Sequence, residues 1–412
     1  VKDQKRILLL DCDMFFVQVA KLEDPEGAGR APLLIVGGSK EGRGVVTSAD
    51  YGVRKFGVHS GMPTARALRL CPEATVVGVP REACVRISRR IRSLLQDLVP
   101  VVQAASIDEF YLDLTGTDRL FRDETTGETG VRIRKRILAE TGISVSVGGG
   151  PNRLVAKLAA ERAKPGGVYV VEPSGEGGFM AGFDLAAIPG VGPRFLETLA
   201  KRGLRTVEDA LRVEEDWLIR WFGEARGTWL WERIRGIDPS PVVPDEERKS
   251  ISSERTFPAD IADPDRLDRH LLQLALSVGR TLREKGLRGR TVTVKVRDRD
   301  FTTRQSSTTV TRGVESDRFL YETARALVAE LRSAHPEPVR LLGVGISNLE
   351  EAGRARQLDF FGEEASSESE RDRTLSRLAD QVRERFGSDA ILPGRVLDRD
   401  GDPGGKKKAK PP

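Results

Sequence analysis

The segment that most limits what this chain can become lies near its start. Ile7 to Leu10 form an unbroken apolar run that stops at Asp11-Cys12-Asp13. An apolar run without alternation predicts a short strand buried on both faces. Such a strand carries Asp11 to a place where an ionised carboxylate is costly unless it is paired or binds a cation. A second acidic pair, Asp108-Glu109, closes the tetrapeptide SIDE and lies between two β-type runs, VPVVQAAS and FYLDLTG. Neighbouring side chains of a regular strand point to opposite faces. At a hairpin tip that alternation breaks, so both carboxylates could converge on one cation cluster. Three acids without His or Cys suit a hard, oxygen-loving ion such as Mg²⁺, and phosphoryl transfer uses such ions in pairs. On spacing alone they read equally well as ordinary strand-end and turn acids.

With 412 residues the chain is expected to hold more than one domain. Its net charge of +5 leans, weakly, toward a polyanionic partner. Cys12, Cys71 and Cys84 have no paired spacing, and His59, His270 and His335 are scattered, which argues against zinc and disulfides. The N-terminal apolar run is too short for a signal peptide, and no stretch nears the ~20 apolar residues of a membrane span. A cytoplasmic protein is expected.

Pro80 precedes a helix in which Cys84, Ile87, Ile91, Leu94 and Leu98 recur at helical spacing. A second helix starts near Asn152, after Gly148-Gly149-Gly150-Pro151. A small helical region, about 184–237, contains IPGVG (Ile188–Gly192) and all four Trp residues. A Pro-rich, charged linker leads to a βαβ-like region, about 251–349. Beyond it the composition turns polar and low in complexity, as in a mostly disordered tail. Leu375, Leu378, Val382 and Phe386 still mark one short amphipathic helix there.

The motifs DCDMFF, ADYGVRKFGVHSGMP, SIDEFYLD, GPNRLVAKLAAERAKPGG, IPGVG and ERTF occur in that order. Their order and spacing resemble the Y-family DNA polymerases, most closely the bacterial DinB or DNA polymerase IV type, from about Arg6 to Leu349. The resemblance implies an α+β multidomain, right-handed polymerase. Its parts would be a ferredoxin-like palm (1–21 and 81–171), small fingers (22–80), a helix-hairpin-helix thumb (172–238), a linker (239–250), a βαβ-type little finger (251–349) and a tail (350–412). It implies that Asp11, Asp108 and Glu109 are catalytic metal ligands, with the Cys12 backbone carbonyl as a further one. Two Mg²⁺ ions, with Mn²⁺ as the alternative, would be the cofactors. Tyr51, Arg54 and Lys164 match residues that touch the incoming triphosphate. Phe16 matches the steric gate, whose ring fills the space a ribose 2′-OH needs. The partners implied are primer–template DNA and dNTPs, without a membrane, and the chain is expected to be monomeric.

Several positions depart from the usual motifs. Met14 and Ala20 differ from DMDAFFASVE, SYEAR becomes Asp50-Tyr51-Gly52-Val53-Arg54, SIDEAY gains Phe110, and HERTF becomes Ser253-Glu254-Arg255-Thr256-Phe257. None removes a metal ligand or a phosphate-binding cation. Gly190 and Gly192 of IPGVG can free backbone N–H groups at a helix start to hold a phosphate, although an isolated Gly-rich helix turn reads as well as a plain αα-corner. Arg280–Arg304 carries nine basic residues against three acidic ones. Val292, Val294 and Val296 alternate there with Thr293, Lys295 and Arg297, as in a strand with a basic outer face. Lys295, Arg297, Arg299 and Arg304 are the candidates to grip a DNA backbone. Gln357, Leu358, Phe360 and Phe361 resemble the peptide with which bacterial polymerases dock on a sliding clamp.

The function expected is template-directed, low-fidelity translesion synthesis. The alternative is a non-catalytic DNA- and clamp-binding adaptor of a mutagenesis complex, in which these acids would have been lost. A nucleotide cyclase with a similar palm leaves the later regions unexplained.

Overall fold

The computed structural model describes residues 5–117, 124–244, 247–352, 368–387 and 390–394. They fall into two compact units that divide between Glu246 and Glu247.

In the first unit, β1 (Ile7–Cys12) leads into α1 (Phe15–Glu23). A small three-stranded sheet follows, from β2 (Leu34–Gly37), β3 (Val46–Ala49), α2 (Tyr51–Arg54), α3 (Thr64–Leu70) and β4 (Thr75–Val77), in the order β3-β2-β4. Next come α4 (Arg81–Leu98), β5 (Val101–Ala104), β6 (Glu109–Asp113), α5 (Thr126–Thr141), β7 (Val145–Gly150), α6 (Arg153–Ala163) and β8 (Val168–Val170). Their strands join β1 in a five-stranded sheet of order β5-β6-β1-β7-β8. Five short helices end the unit: α7 (Glu176–Ala181), α8 (Pro193–Ala200), α9 (Val207–Leu211), α10 (Glu215–Phe222) and α11 (Glu224–Ile234).

The apolar run at the start is the central strand, buried on both faces as its lack of alternation requires. Leu8 and Leu10 pack with Ile91 and Leu94 of α4 and Ile133 and Ile137 of α5. Ile7 and Leu9 face the other way, onto Ala156 and Ala160 of α6. That second face is unusually close. A Cβ on Gly148 would overlap the backbone nitrogen of Ala160 and the carbonyl oxygen of Ala156, and one on Gly150 would come 2.6 Å from a Val155 methyl. Small residues on both sides therefore let α6 lie almost against β7. Asn152 caps the helix by accepting from the Val155 N–H at 3.0 Å. Leu154 and Leu158, on another side of α6, pack into the core of the short helices.

The second unit runs β9 (Ser250–Ile261), α12 (Pro264–Glu284), β10 (Leu287–Asp298), β11 (Thr303–Val314), α13 (Asp317–Ala334), β12 (Val339–Glu351) and α14 (Glu370–Phe386). The sheet order is β11-β10-β12-β9, with every neighbouring pair antiparallel. β9 and β10 thus run parallel with β12 between them, so the βαβ pattern of the sequence is a split one. Val292, Val294 and Val296 sit in the core with residues of α12 and α13, which leaves Lys295 and Arg297 on the opposite face.

The helix expected from Leu375, Leu378, Val382 and Phe386 forms, but its apolar stripe is not the face that docks. Leu375, Leu378 and Phe386 are exposed, while Ser376 and Arg383 are buried. The reason is the charge beneath it. Glu315 is buried and needs cations, which Arg377 (2.6 Å) and Arg288 (3.3 Å) supply. Arg283 lies between Asp317 (2.8 Å) and Asp380 (2.6 Å). Glu368 accepts from the backbone N–H groups of Glu315 and Ser316.

Two substitutions test these contacts. Gly148→Ala should lower the stability of the first unit by about 3 kcal/mol, the upper range for overpacking, read as a lower urea midpoint at unchanged slope. An unchanged midpoint would remove the close approach as a constraint. Arg283→Ala leaves two carboxylates without their shared cation and should cost about 3–5 kcal/mol. Amide exchange in α14 should then rise; protection equal to wild type would mean that the ion pairs do not hold this helix.

Candidate active site

β1 and β6 are antiparallel neighbours, and their register sets Asp11 directly opposite Glu109. Side chains directly opposite in such a pair share a face, so the two acids meet by strand pairing. Asp108 sits in the turn just before β6, its carbonyl accepting from the Cys12 N–H at 3.0 Å. Ser106 shapes that turn. Its hydroxyl donates to Asp108 Oδ1 at 2.5 Å and accepts from the Asp108 and Glu109 N–H groups at 3.2 and 3.1 Å.

The close seat of α6 brings two lysines to these acids. Lys164 Nζ lies 2.8 Å from Asp11 Oδ2 and 2.7 Å from Glu161 Oε1. Lys157 Nζ lies 2.5 Å from Glu109 Oε1. Burial pushes the Asp11 carboxyl up to about 6, against the pull of Lys164. Burial works against both ammonium groups, yet their acidic partners raise both above the usual lysine value. Burial also pushes the Cys12 thiol up, which leaves its carbonyl as its polar contribution here.

Asp13 is the best-tied carboxylate nearby. It accepts from the hydroxyls of Ser146 (2.7 Å), Ser144 (2.8 Å) and Tyr51 (3.3 Å) and from the Gly166 N–H (2.9 Å). Four donors leave it little capacity for a cation. It instead joins α2 to the turn after Lys164. Burial, then the charge of Asp13, pushes the Tyr51 phenol up to about 12, so it stays a donor. The Arg54 guanidinium lies 5.0 Å from the Tyr51 ring centroid, with its Nε donating to the Ala49 carbonyl at 2.9 Å. Asp50 fixes α2 by accepting from the N–H groups of Val53 (2.8 Å) and Leu34 (2.7 Å). Phe16 is half-buried on α1, edge-on to Phe15 at 5.5 Å between ring centroids.

The first unit therefore brings Asp11, Cys12, Asp108 and Glu109 together at one end of the sheet, with Lys164 on Asp11 and Tyr51 joined through Asp13. Among the described residues, no three His, Cys, Asp or Glu side chains are close enough to hold a metal ion. The acids instead face Lys157, Lys164 and Ser106. The donor set still fits a hard divalent cation: three carboxylates and a carbonyl, with ammonium groups already supplying positive charge at two of the acids.

Gly190 has φ +98, and a Cβ there would come 2.8 Å from the Trp229 ring, so a glycine is required on both counts. Gly192 caps α8 with open space around it. In the second unit Lys295 pairs with Glu254 at 2.8 Å, the Arg297 Nε donates to Thr303 at 2.7 Å, Arg304 pairs with Asp298, and Arg299 is exposed. Gln357, Leu358, Phe360 and Phe361 lie outside the described residues. Sequence reasoning missed Lys157, Asp13 and Ser106. Lys157 carried no helical signal, because Lys164 lies past the end of α6 in an extended conformation.

Comparison with known proteins follows the same lines. Residues 10–161 match the model of the impB/mucB/samB family, and residues 248–360 match that of its C-terminal domain. A DNA polymerase IV of Dehalococcoides mccartyi (strain CBDB1) is 34% identical over 392 residues, which is 95% of this chain and 97% of the relative. A Y-family DNA polymerase chimera superposes with a TM-score of 0.73 at 27% identity, covering 83% of this chain and 98% of its own. An insertion ternary complex of Dbh DNA polymerase gives 0.59 at the same identity and coverage.

A carboxyl whose folded pKa is raised stabilises the fold while protonated and loses that contribution as pH climbs from its ordinary value to its folded one. At neutral pH an ionised Asp11 therefore costs stability. In EDTA at pH 7.5, Asp11→Asn should raise stability by about 2–3 kcal/mol, since a net rise of roughly two pKa units, with the pull of Lys164 already included, is worth about 3 kcal/mol. A urea midpoint below wild type would mean that the pairing outweighs burial.

Proposed function

Because the chain belongs to the impB/mucB/samB family, the Y-family of DNA polymerases, we propose that the end of β1 is its nucleotidyl-transfer centre. The protein is a DNA-directed DNA polymerase of the translesion type with the family's right-handed fold, and such chemistry depends on divalent metal. No helix among the described residues is long and apolar enough to cross a membrane.

The roles assigned within that frame are our reading. Asp11, Asp108, Glu109 and the Cys12 carbonyl hold two Mg²⁺ ions. When bound, these lower the pKa of the primer 3′-OH and neutralise the charge that develops on the leaving pyrophosphate. Tyr51 donates its phenol proton, and Arg54 and Lys164 their cationic N–H groups, to the incoming triphosphate. The Phe16 ring excludes a ribose 2′-OH by overlap. The carrying observation is the register that sets Asp11 opposite Glu109, with Asp108 in the adjoining turn. The palm, fingers, thumb and little finger take the boundaries read from the sequence. IPGVG and the outer face of β10 grip the DNA backbone, and the Gln357–Phe361 peptide docks on a clamp. The adaptor alternative needs a chain without these acids and is not favoured.

Primer extension on an undamaged primer–template with Mg²⁺ is the direct test. Asp108→Ala and Glu109→Ala should each lower kcat by at least about a hundredfold, the scale of losing several kcal/mol of metal-borne stabilisation. Phe16→Ala should raise ribonucleotide insertion relative to dNTP insertion by about 10–100-fold. Template-matched extension that survives in both acid variants would move the catalytic centre elsewhere.

A further inference from the structure

Lys157 has no role in the reaction as described so far, yet its ammonium sits on one of the proposed metal ligands. Lys157 lies on α6 and Lys164 caps its C-terminal end in an extended backbone conformation, and both ammonium groups reach the acids at the end of the sheet. Lys164 has Glu161 as a second partner at 2.7 Å. The ion pair of Lys157 among the described residues is with Glu109, at 2.5 Å and half-buried on both sides. A divalent cation arriving at Glu109 meets that ammonium. Like charges a few ångströms apart repel, and the more so where water is partly excluded. The repulsion disappears only if the ammonium finds another anion, and the substrates of a polymerase bring phosphates.

We propose that Lys157 is an exchange cation. It occupies Glu109 until a phosphate draws the ammonium away, and so couples metal binding to substrate arrival. This rests on the assignment of Asp11, Asp108 and Glu109 as metal ligands. The phosphate comes from primer–template DNA or from the nucleotide, which share the chemistry. Coupling of this kind is reciprocal, so metal must tighten the binding of whichever phosphate Lys157 moves to.

The test uses the full chain and needs no turnover. Free Mn²⁺ is titrated by electron paramagnetic resonance without substrate, for wild type, Lys157→Met, Lys157→Gln, Lys157→Arg and Glu109→Ala. Both neutral variants should bind Mn²⁺ about tenfold more tightly than wild type, and the arginine variant should not. Labelled primer–template and a fluorescent dNTP are then titrated separately, with and without Mn²⁺ at constant ionic strength. The gain from metal should shrink in the neutral variants for the phosphate source that exchanges with Lys157. Comparing that gain between wild type and variant cancels chelation by the ligand itself. Two neutral variants guard against one that fails to fold, checked by circular dichroism. Unchanged or weaker Mn²⁺ binding in the neutral variants, with binding lost in Glu109→Ala, would overturn the exchange and leave the metal site standing. Equal Mn²⁺ binding by wild type and Glu109→Ala would overturn both.

Discussion

The near-contact of α6 with β7 is the constraint on which the site depends. Three consecutive glycines on the strand and alanines at 156, 159, 160 and 163 on the helix remove the side chains that would hold the two backbones apart. Ordinary helix–sheet packing would set the helix further from the sheet. Lys157 and Lys164 would then fall short of Glu109 and Asp11. The same helix packs on the short-helix region through Leu154 and Leu158. It therefore fixes the acids, their counter-charges and the neighbouring helices in one rigid element, which suits a reaction that needs ligands held to a fraction of an ångström.

Against that rigidity stands an electrostatic tension. Asp11 is carried to the end of a strand buried on both faces, and its proton affinity is raised by that burial even with an ammonium 2.8 Å away. A fold chosen for stability alone would place a neutral residue there. The cost makes sense where a stronger cation is to bind. Asp13, two residues on, shows the opposite treatment: with four donors it is stably held and joins β7, α2 and the turn after Lys164.

Much of this was legible in the sequence, for identifiable reasons. The β1 run, the helix after Pro80 and the helix capped by Asn152 follow from periodicity and capping, which are local. Asp11, Asp108 and Glu109 stood out because motif order marked them, while their meeting depends on β1–β6 register, which no local pattern encodes. The roles of Asp13, Ser106 and Lys157 come from contacts across 153, 3 and 48 residues. Only Ser106 left a local trace, within the turn it shapes. In α14 the pattern misled. An apolar stripe predicts the buried face when the partner surface is apolar. Here the partner surface carries the buried Glu315 and the partly buried Asp317, so the helix turned its Ser376 and Arg383 inward.

The choice of cation at each acid follows a physical rule. Where pairing must persist, this chain uses arginine. Arg132 binds Glu124 through Nε and a terminal nitrogen at about 3.0 Å, and Arg283 and Arg377 hold the acids under α14. A guanidinium offers a planar fork whose two parallel bonds break together or not at all. At the end of β1 the cations are lysines. An ammonium is a compact point charge on a flexible stem, with three equivalent donors that can rotate to a new acceptor without losing a matched geometry. Lys164 already spans two carboxylates, Asp11 and Glu161. Exchange of partners is cheap for such a group and expensive for a bidentate arginine, so lysine at positions 157 and 164 suits the proposed role of Asp11 and Glu109, whose partner would change from an ammonium to a metal.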